Sequence, residues 1–569
     1  MAKQETEFTR RAFVGIGAAA VVALPQLAVG SPAPGGEVPA GNASTGAGWR
    51  TPPAPIADSA IAETFTADVI VIGGGQAGTN ATRAAAEDGA TVICLEKMPE
   101  DTYSTFGNDI GHINSEYLAS QGVPKVDEVE FFNNWMLASG YRASSDLVMK
   151  FTKECGAAFD WWHQPLGEKE MASCAVDFWP ATNNTIYHFN SGLKYWIGCA
   201  QFYGQVDGVD FRMTDIYRII HSYIKDLPGA EIHYGTTAEQ LVMDGAKVIG
   251  VIAVNADGAY VKYLANKGTI LAAGDFSANQ EMREDLLQPQ QQSLEPGEQL
   301  FGMGRDGSGI KMGVWAGGKI EPMPLACLGA DTTVPSPYPC LWLDMYGKRY
   351  QSEMVGDSVP TGYMHVRHKH GVRYIVFDAT ILEQLTFNVP GHGAFDPTPE
   401  GALEGIQESL DSAYIAGAEG FTPPRMGPGG GTIWAADDLE TLAGYLDLDV
   451  ATKANFLASI EQYNRICDAK RDTDYGKDPR LLFPVRTAPF YAMVSESNPG
   501  MMLTTNGGLE VDGDQRVLNE TRDPIEGLFA TGNCTGLRFG PAYFTPIAGV
   551  SLGMAITLGR AAGKFVASL

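Results

Sequence analysis

The sequence has little cysteine and none of it paired. Its eight cysteines lie singly at Cys94, Cys155, Cys174, Cys199, Cys327, Cys340, Cys467 and Cys534. No Cys-x-x-Cys occurs, which excludes a covalently attached c-type haem and a ferredoxin-type cluster run. A chain of 569 residues also needs no disulfide scaffold, and most of these thiols are expected to be buried and inert. Histidine is scarce, at 9 residues. The one local group, His365, His368 and His370, fits no standard zinc spacing, so no metal site is expected and a solvated loop accounts for it. Positive charge is short as well. The 40 lysines and arginines face 67 acids, a net charge of -27, which argues against nucleic acid or an anionic membrane surface as partner. No internal repeat is evident, and the apolar stretch Val14 to Ala28 is too short and too glycine-rich for a transmembrane helix.

Glycine, by contrast, is abundant at 67 residues, which favours tight turns and close approach of backbone to a ligand. The N-terminus carries paired arginines, Arg10 and Arg11, ahead of that apolar stretch, with Ala28 and Gly30 before Ser31 as a small-residue cleavage site. Residues 1–30 resemble a twin-arginine export signal, the alternative being an uncleaved anchor. A protein exported this way is already folded around its cofactor, and its destination is the periplasm or the outer face of the cell membrane. Residues 31–64 read as an irregular linker rich in Pro, Gly, Ala and Ser.

At Asp68 the pattern changes. "DVIVIGGGQAGTNATRAAAEDGATVICLEK" reads as strand, glycine turn, helix and strand. Gly73, Gly75 and Gly78 form G-x-G-x-x-G, and Glu96 closes the second strand 18 residues beyond Gly78. The first glycine permits the turn, the second lets backbone approach a pyrophosphate, and the third lets helix and strand pack closely. The helix N-terminus offers free N–H groups to phosphate, and the acid accepts from ribose hydroxyls. The motif leaves FAD and NAD open. Further on, "GTILAAGDFSAN" and "GLFATGNCTG" are apolar strands ending in glycine turns at Gly274 and Gly532, as if the chain returned twice to one sheet. Residues 325–490 are less regular and rich in Pro, Tyr and His, consistent with an inserted lid.

This set of motifs, together with "DMYGKRYQSE" and "NGGLEVD", resembles the flavoprotein subunits of the fumarate reductase and succinate dehydrogenase family. The active-site pattern is most similar to the 3-ketosteroid dehydrogenase-like and urocanate reductase-like members. The resemblance covers nearly everything from Asp68 onward. It implies an α/β fold in which a Rossmann-like FAD-binding domain, residues 65–324 and 491–569, is interrupted by an α+β capping domain at 325–490. It implies FAD, held through Gly73, Gly75, Gln76, Ala77, Gly78, Glu96, Lys97, Gly107, Asn108, Ala273, Gly274, Asp306, Gly532 and Asn533. The last helix would point its N-terminus, near Ala548, Gly549 and Val550, at the flavin pyrimidine ring. With no haem motif in the chain, a separate carrier such as a cytochrome or a membrane quinol oxidase is implied as electron donor.

Fumarate reductases grip a dicarboxylate with fixed cations, and the sequence departs from them at three places. Thr504-Thr505-Asn506 stands before Gly507-Gly508, the cap arginine falls near Asp357 or Ser358, and the final turn reads Phe539-Gly540-Pro541-Ala542-Tyr543. Losing the cations argues against a small dicarboxylate. The G-x-x-Y turn is similar to that of 3-ketosteroid dehydrogenases, whose tyrosine hydroxyl bonds the substrate carbonyl. It differs in that Ile547 stands where those enzymes place a glycine. Tyr543 is thus the leading catalytic candidate, set against a packing role over the flavin. Asp357 and Tyr363 are weaker candidates in the cap. Arg538 either anchors a carboxylate or, the preferred expectation, sits at the surface. Trp161, Trp162 and His163 are read as core rather than pocket. The expectation is an exported FAD enzyme, a reductase of a carbonyl-conjugated C=C bond of enone or acrylate type in anaerobic respiration. The alternatives are a ketosteroid-type dehydrogenase working in the desaturating direction and a flavin electron carrier without organic substrate.

Overall fold

The computed structural model describes residues 48–177, 182–185, 196, 198–289, 291–292, 304–330, 340–353, 372–387, 395–423, 431–496, 501–540, 543 and 546–569. The chain forms two compact units. One comprises residues 37–178, 191–329 and 501–569, and the other comprises 1–36, 179–190 and 330–500.

The larger unit is built on an eight-stranded sheet. Strand β1 (Ile61–Ile72) leads into helix α1 (Gln76–Glu87) and strand β2 (Val92–Leu95). Helix α2 (Ser145–Trp162) and helix α3 (Met213–Lys225) precede β3 (Ala230–His233), β4 (Thr237–Asp244), β5 (Lys247–Val254) and β6 (Tyr260–Leu271). Helix α4 (Ser308–Trp315) follows, and after residue 500 come β7 (Met501–Asn506), β8 (Arg516–Leu518), β9 (Pro524–Ala530) and α5 (Val550–Ser568). The sheet order is β8-β9-β6-β1-β2-β3, with β5 pairing both β6 and β4. Strands β9, β6, β1, β2 and β3 run parallel. The β4–β5 and β5–β6 hairpins and the β8–β9 pair are antiparallel. Chain order reverses between β2 and β6 on either side of β1, the place where open α/β sheets bind ligands beyond their carboxyl ends.

Alternation along β1 sorts the core. Val69 and Val71 join the apolar cluster of α1 and α5 on one face. Ile70 and Ile72 join the cluster on the other, with Leu271, Met282, Ile310 and Leu509. Helix α1 is alanine-rich, and a side chain at Gly559 or Gly563 of α5 would meet the α1 backbone at Ala77 or Ala81 within 2.4 and 2.1 Å. That pair of glycines is what lets α5 lie directly on α1. Trp161 and Trp162 belong to a further buried cluster with Phe159, Phe202 and Tyr217, as read from the sequence. The linker expectation for 31–64 is corrected in its second half: Trp49 is core and β1 begins at Ile61. The Trp49 indole donates to Asp285 (2.9 Å), its carbonyl accepts from the Trp315 indole (3.0 Å), and its amide donates to Glu281 (2.9 Å).

The smaller unit is more regular than its composition suggested. Leu341–Leu343, Val372–Asp378, Phe490–Glu496 and Thr432–Ala436 form a four-stranded antiparallel sheet in that order. Helix Ala402–Ala416 contributes Leu410 and Ala413 to the core on one face, against Trp342, Ile375 and Phe377. Helix Val450–Ala469 contributes Phe456, Ile460 and Tyr463 on the other, against Leu341, Leu343 and Val376. The short strands alternate between two buried faces, so their sequences lack the polar-out signature of a half-exposed sheet.

A buried charge cluster fastens this unit. Arg349 makes two hydrogen bonds to Glu353 (2.9 and 2.8 Å) and two to Asp472 (3.0 and 2.8 Å). Lys477 Nζ lies 3.2 Å from Glu353 and donates to the Tyr463 hydroxyl at 2.8 Å. Burial pushes the Glu353 carboxyl upward, but Lys477 and Arg349 outweigh it and the net shift is down. Removing one partner from such a cluster strands a buried charge, so Glu353→Gln is expected to lose about 3–5 kcal/mol. Replacing Glu353 and Lys477 together by apolar residues should lose much less. Thermal unfolding of both variants checks this, and equal losses would contradict it.

Candidate cofactor and active site

The glycine turn is fixed by three contacts that leave no choice of residue. Gly73 has φ +103° and donates to the Leu95 carbonyl at 2.8 Å, and a side chain there would lie 2.6 Å from the Ala272 carbonyl. A side chain at Gly78 would lie 1.8 Å from the Gly73 carbonyl, whereas one at Gly75 would meet nothing within 4 Å. The first and third glycines are therefore packing glycines, and the middle one opens the wall. No side chain caps α1, so its first-turn N–H groups are left for a ligand.

Behind the loop, the Gly74 carbonyl accepts from Thr79 Oγ1 (2.8 Å) and from the Tyr103 hydroxyl (2.9 Å). Thr79 in turn meets His221 Nε2 at 2.8 Å, and His221 Nδ1 meets the Tyr234 hydroxyl at 2.8 Å. Burial pushes His221 down to about 4. It is a neutral imidazole, and a proton on Nε2 satisfies both contacts.

Glu96 is 7% exposed. Its Oε2 accepts from the Gly74 amide at 2.8 Å and its Oε1 from the Met98 amide at 2.7 Å. Burial raises its pKa, and these two amides pull the other way. The carboxylate thus shapes the loop while keeping lone pairs for a sugar hydroxyl.

These groups border a cleft of about 280 Å³ at the carboxyl ends of β1, β2, β6 and β9. Of the residues singled out in the sequence, Gly73, Gly75, Gln76, Ala77, Glu96, Lys97, Ala273, Gly274, Asp306, Gly532 and Asn533 line it. Gly78, Gly107, Asn108, Ala548, Gly549 and Val550 do not. Gly107 packs against Leu552, which does line the cleft; a side chain at Gly107 would lie 2.6 Å from it. The Asn108 carbonyl accepts from Phe202 (3.0 Å). Gly549, with φ +68°, caps α5, and its carbonyl accepts from Gly111 (2.9 Å). Ala548 is fully buried beside Cys199, and Val550 opens α5, whose Ser551, Leu552 and Ala555 reach the cleft.

The sequence reading passed over Tyr103, Glu239, Asp275, Arg305, Lys311 and Trp315, all in the cleft wall. Asp275 directly follows the strand-ending glycine and carried that signal. Glu239 and Trp315 carried none. Two features of the cleft fit a dinucleotide such as FAD. Gly75 leaves space where a pyrophosphate needs it, and the Gln76 carboxamide, 8% exposed, has an Oε1 without a partner among the described residues.

A run of buried polar side chains leads away from the cleft. Arg305 Nη1 donates to Asp275 (3.2 Å), and Thr504 Oγ1 donates to the same Asp275 oxygen (2.6 Å). Asn533 Nδ2 donates to Thr504 (2.9 Å), and Arg538 Nη2 donates to Asn533 Oδ1 (2.9 Å). Arg538 is therefore not a surface residue. It is 2% exposed, its Nε donates to the Thr535 carbonyl at 3.1 Å, and its guanidinium lies 5.2 Å from the Phe539 ring. The turn around it is too densely packed against Trp135, whose indole donates to the Arg538 carbonyl at 2.9 Å, to let the side chain out.

Burial pushes Arg538 down to about 10, with Glu321 and Tyr543 nearby pulling it back. It stays charged at neutral pH. Glu321, 6% exposed, is pushed up to about 7 by burial, against the Leu537 amide, Arg538, the Gly508 amide and Arg142. Tyr543 is 5% exposed, with its ring edge-on to Phe539 at 4.7 Å. Asp357, Ser358, Tyr363 and the histidines 365, 368 and 370 lie outside the described residues. Among the described residues no group of acids, histidines and cysteines is arranged for a metal. Seven of the cysteines are buried, and Cys174 is half-buried.

Residues 68–552 match the family described as FAD binding domain. A vinyl phenol reductase of Lactiplantibacillus plantarum is 26% identical over 520 residues, covering 88% of this chain and 96% of that protein. A digoxin reductase of Eggerthella lenta is 25% identical over 536 residues, covering 89% and 88%. Among solved structures, a 3-ketosteroid Δ4-(5α)-dehydrogenase of Rhodococcus jostii superposes with a TM-score of 0.62 at 22% identity, covering 90% of this chain and 99% of that one. The last likeness is one of fold.

The Glu321 carboxyl gives a pH signature to this unit. Its folded value is raised above the unfolded 4.5, to about 7. The native state therefore holds the proton more tightly, and the stability gained below the unfolded value is lost as pH rises through the folded one. Glu321→Gln removes that loss. Between about pH 5 and pH 8 the wild-type chain is expected to lose about 1–3 kcal/mol more than the variant. Thermal melts at the two pH values check it, and parallel changes would contradict it.

Proposed function

Because the chain belongs to the FAD-binding-domain family and is an FAD-dependent oxidoreductase of the class acting on CH–CH and C=C bonds, we propose that it reduces an activated C=C bond in a bulky, carbonyl- or aryl-conjugated substrate. Bound FAD supplies a hydride to the substrate carbon. The chain's residues do the rest. Backbone N–H groups of the glycine loop and of the first turn of α1 would hold the pyrophosphate, and Glu96 would hold the ribose. The N-terminal turn of α5 contributes the positive end of a helix to the cleft wall.

The observation that carries the reading is the turn at Phe539–Tyr543. In the place where a dicarboxylate enzyme of this family keeps an arginine, a buried phenol is held against an aromatic wall. A phenol can donate a hydrogen bond to a carbonyl oxygen and stabilise the charge that builds there. It cannot clamp a carboxylate as a guanidinium does. The relatives' names support the same substrate class: vinyl phenol carries an aryl-conjugated alkene, and neither it nor digoxin is a small diacid. The proposal includes export by the twin-arginine route, on the strength of Arg10, Arg11 and the apolar stretch after them. Electrons then come from a separate carrier outside the cytoplasm. The desaturating direction uses the same phenol and stays the second reading.

Protein reduced with dithionite is to be reoxidised by a panel of vinyl phenols, enones, aryl acrylates and fumarate. Conjugated monoacids or neutral substrates are expected to reoxidise it fastest, and fumarate in first place would refute the proposal. Tyr543→Phe should slow the reaction by roughly 10²–10⁴-fold with the best substrate if the phenol acts on the reacting system. A rate within threefold of wild type would assign Tyr543 to packing.

A further inference from the structure

Two buried side chains behind the cleft wall carry polar atoms that have no partner among the described residues. Arg538 Nη1 has none, and among the described residues no carboxylate comes within ion-pair distance of this guanidinium. Asn506, 3% exposed, has neither its Oδ1 nor its Nδ2 satisfied. Asn506 is two residues from Thr504 on β7, so alternation puts both on one strand face. Thr504 accepts from Asn533, and Asn533 holds Arg538. The two unsatisfied groups thus lie beside one polar set, of which Asn533, the residue bonded to Arg538, lines the cleft together with Asp275 and Arg305.

An unpaired cation in a packed interior is strongly destabilising unless something supplies an opposite charge. Nearby acids, Glu321 foremost, offset part of the burial without forming a direct ion pair with the guanidinium. Asp275 is already bonded to Arg305 and Thr504. Glu321 accepts from the Leu537 amide at 2.9 Å rather than from Arg538. The bound cofactor can supply the missing charge. On taking up two electrons and one proton, its ring system gains one net negative charge.

We propose that Arg538 is a positioning residue that sets the reduction potential of bound FAD, favouring the reduced, anionic form through a buried positive charge held on Asn533. It acts through Asn533 and through space, and Asn506 provides the uncharged half of the same polar set. This inference rests on FAD being the cofactor but not on the substrate, so the reoxidation panel can fail without touching it. Glu321 opposes the effect, because it faces Arg538 and Arg142 and gains its own negative charge as pH rises. The other groups facing Arg538 are Tyr543, Cys534 and Asp275.

The test is the midpoint potential of bound FAD, measured against reference dyes in the purified holoprotein. Arg538→Met is expected to disfavour reduction by about tenfold or more in the two-electron equilibrium, a drop of about 30 mV or more. Arg538→Lys, which keeps the charge, should stay within threefold of wild type. Glu321→Gln should move the potential the opposite way above about pH 7, where wild-type Glu321 is ionised, and leave it unchanged near pH 5. An unchanged potential in Arg538→Met holoprotein overturns the proposal. If that variant does not fold or retain FAD, Glu321→Gln decides, and the absence of a pH-dependent upward shift overturns it as well. A merely structural arginine would alter melting temperature and leave both potentials where they were.

Discussion

Helix α1 lies so close to the turn that feeds it that no side chain fits between Gly78 and the Gly73 carbonyl. Much of the larger unit follows from that approach. It aims the start of the helix at the carboxyl ends of the parallel strands, where β1, β2, β6 and β9 all finish. It brings Glu96 within reach of the Gly74 amide, so one carboxylate shapes the loop and faces the cleft. It also leaves α1 a smooth alanine surface on which α5 can lie, and α5 delivers Ser551 and Leu552 to the opposite wall. A dinucleotide site is thus the outcome of a packing constraint as much as of a recognition motif.

The second wall is organised by polar contacts. Asp275, Thr504, Asn533 and Arg538 hand hydrogen bonds from one to the next, and they come from three stretches of chain. Such a set tolerates little rearrangement, because any broken link leaves a buried polar atom unsatisfied. At its end Trp135 stacks on Phe539 at 5.8 Å, and the Tyr543 ring meets Phe539 edge-on at 4.7 Å.

The parallel strands and a dinucleotide site were legible because each rests on local chemistry, whereas FAD over NAD and the interrupted fold rested on the family resemblance. A β-branched apolar run, glycines at fixed spacing and an acid at the next strand end make a pattern no neighbour can override. The returns of the chain at Gly274 and Gly532 were legible for the same reason. Arg538 was misjudged because charge and position in a loop suggest exposure, and its burial depends on Trp135 and Phe539 packing around it. Glu239 and Trp315 were not legible at all: they reach the cleft only through the β4 turn and α4, and no spacing in the sequence ties those to the glycine loop. The antiparallel sheet of the smaller unit went unread because both its faces are covered, which erases alternation.

The contact at Trp49 has a mechanical meaning. The carbonyl of this residue is tied to the indole of Trp315, and Trp315 stands in the wall of the cofactor cleft. Its own indole and amide are tied to Asp285 and Glu281 on a neighbouring helix. A pull at residue 49 would therefore load three hydrogen bonds, two to exposed acids of that helix and one to the Trp315 indole. Strain applied at residue 49 is thus passed, through one indole, to the wall where the prosthetic group would sit.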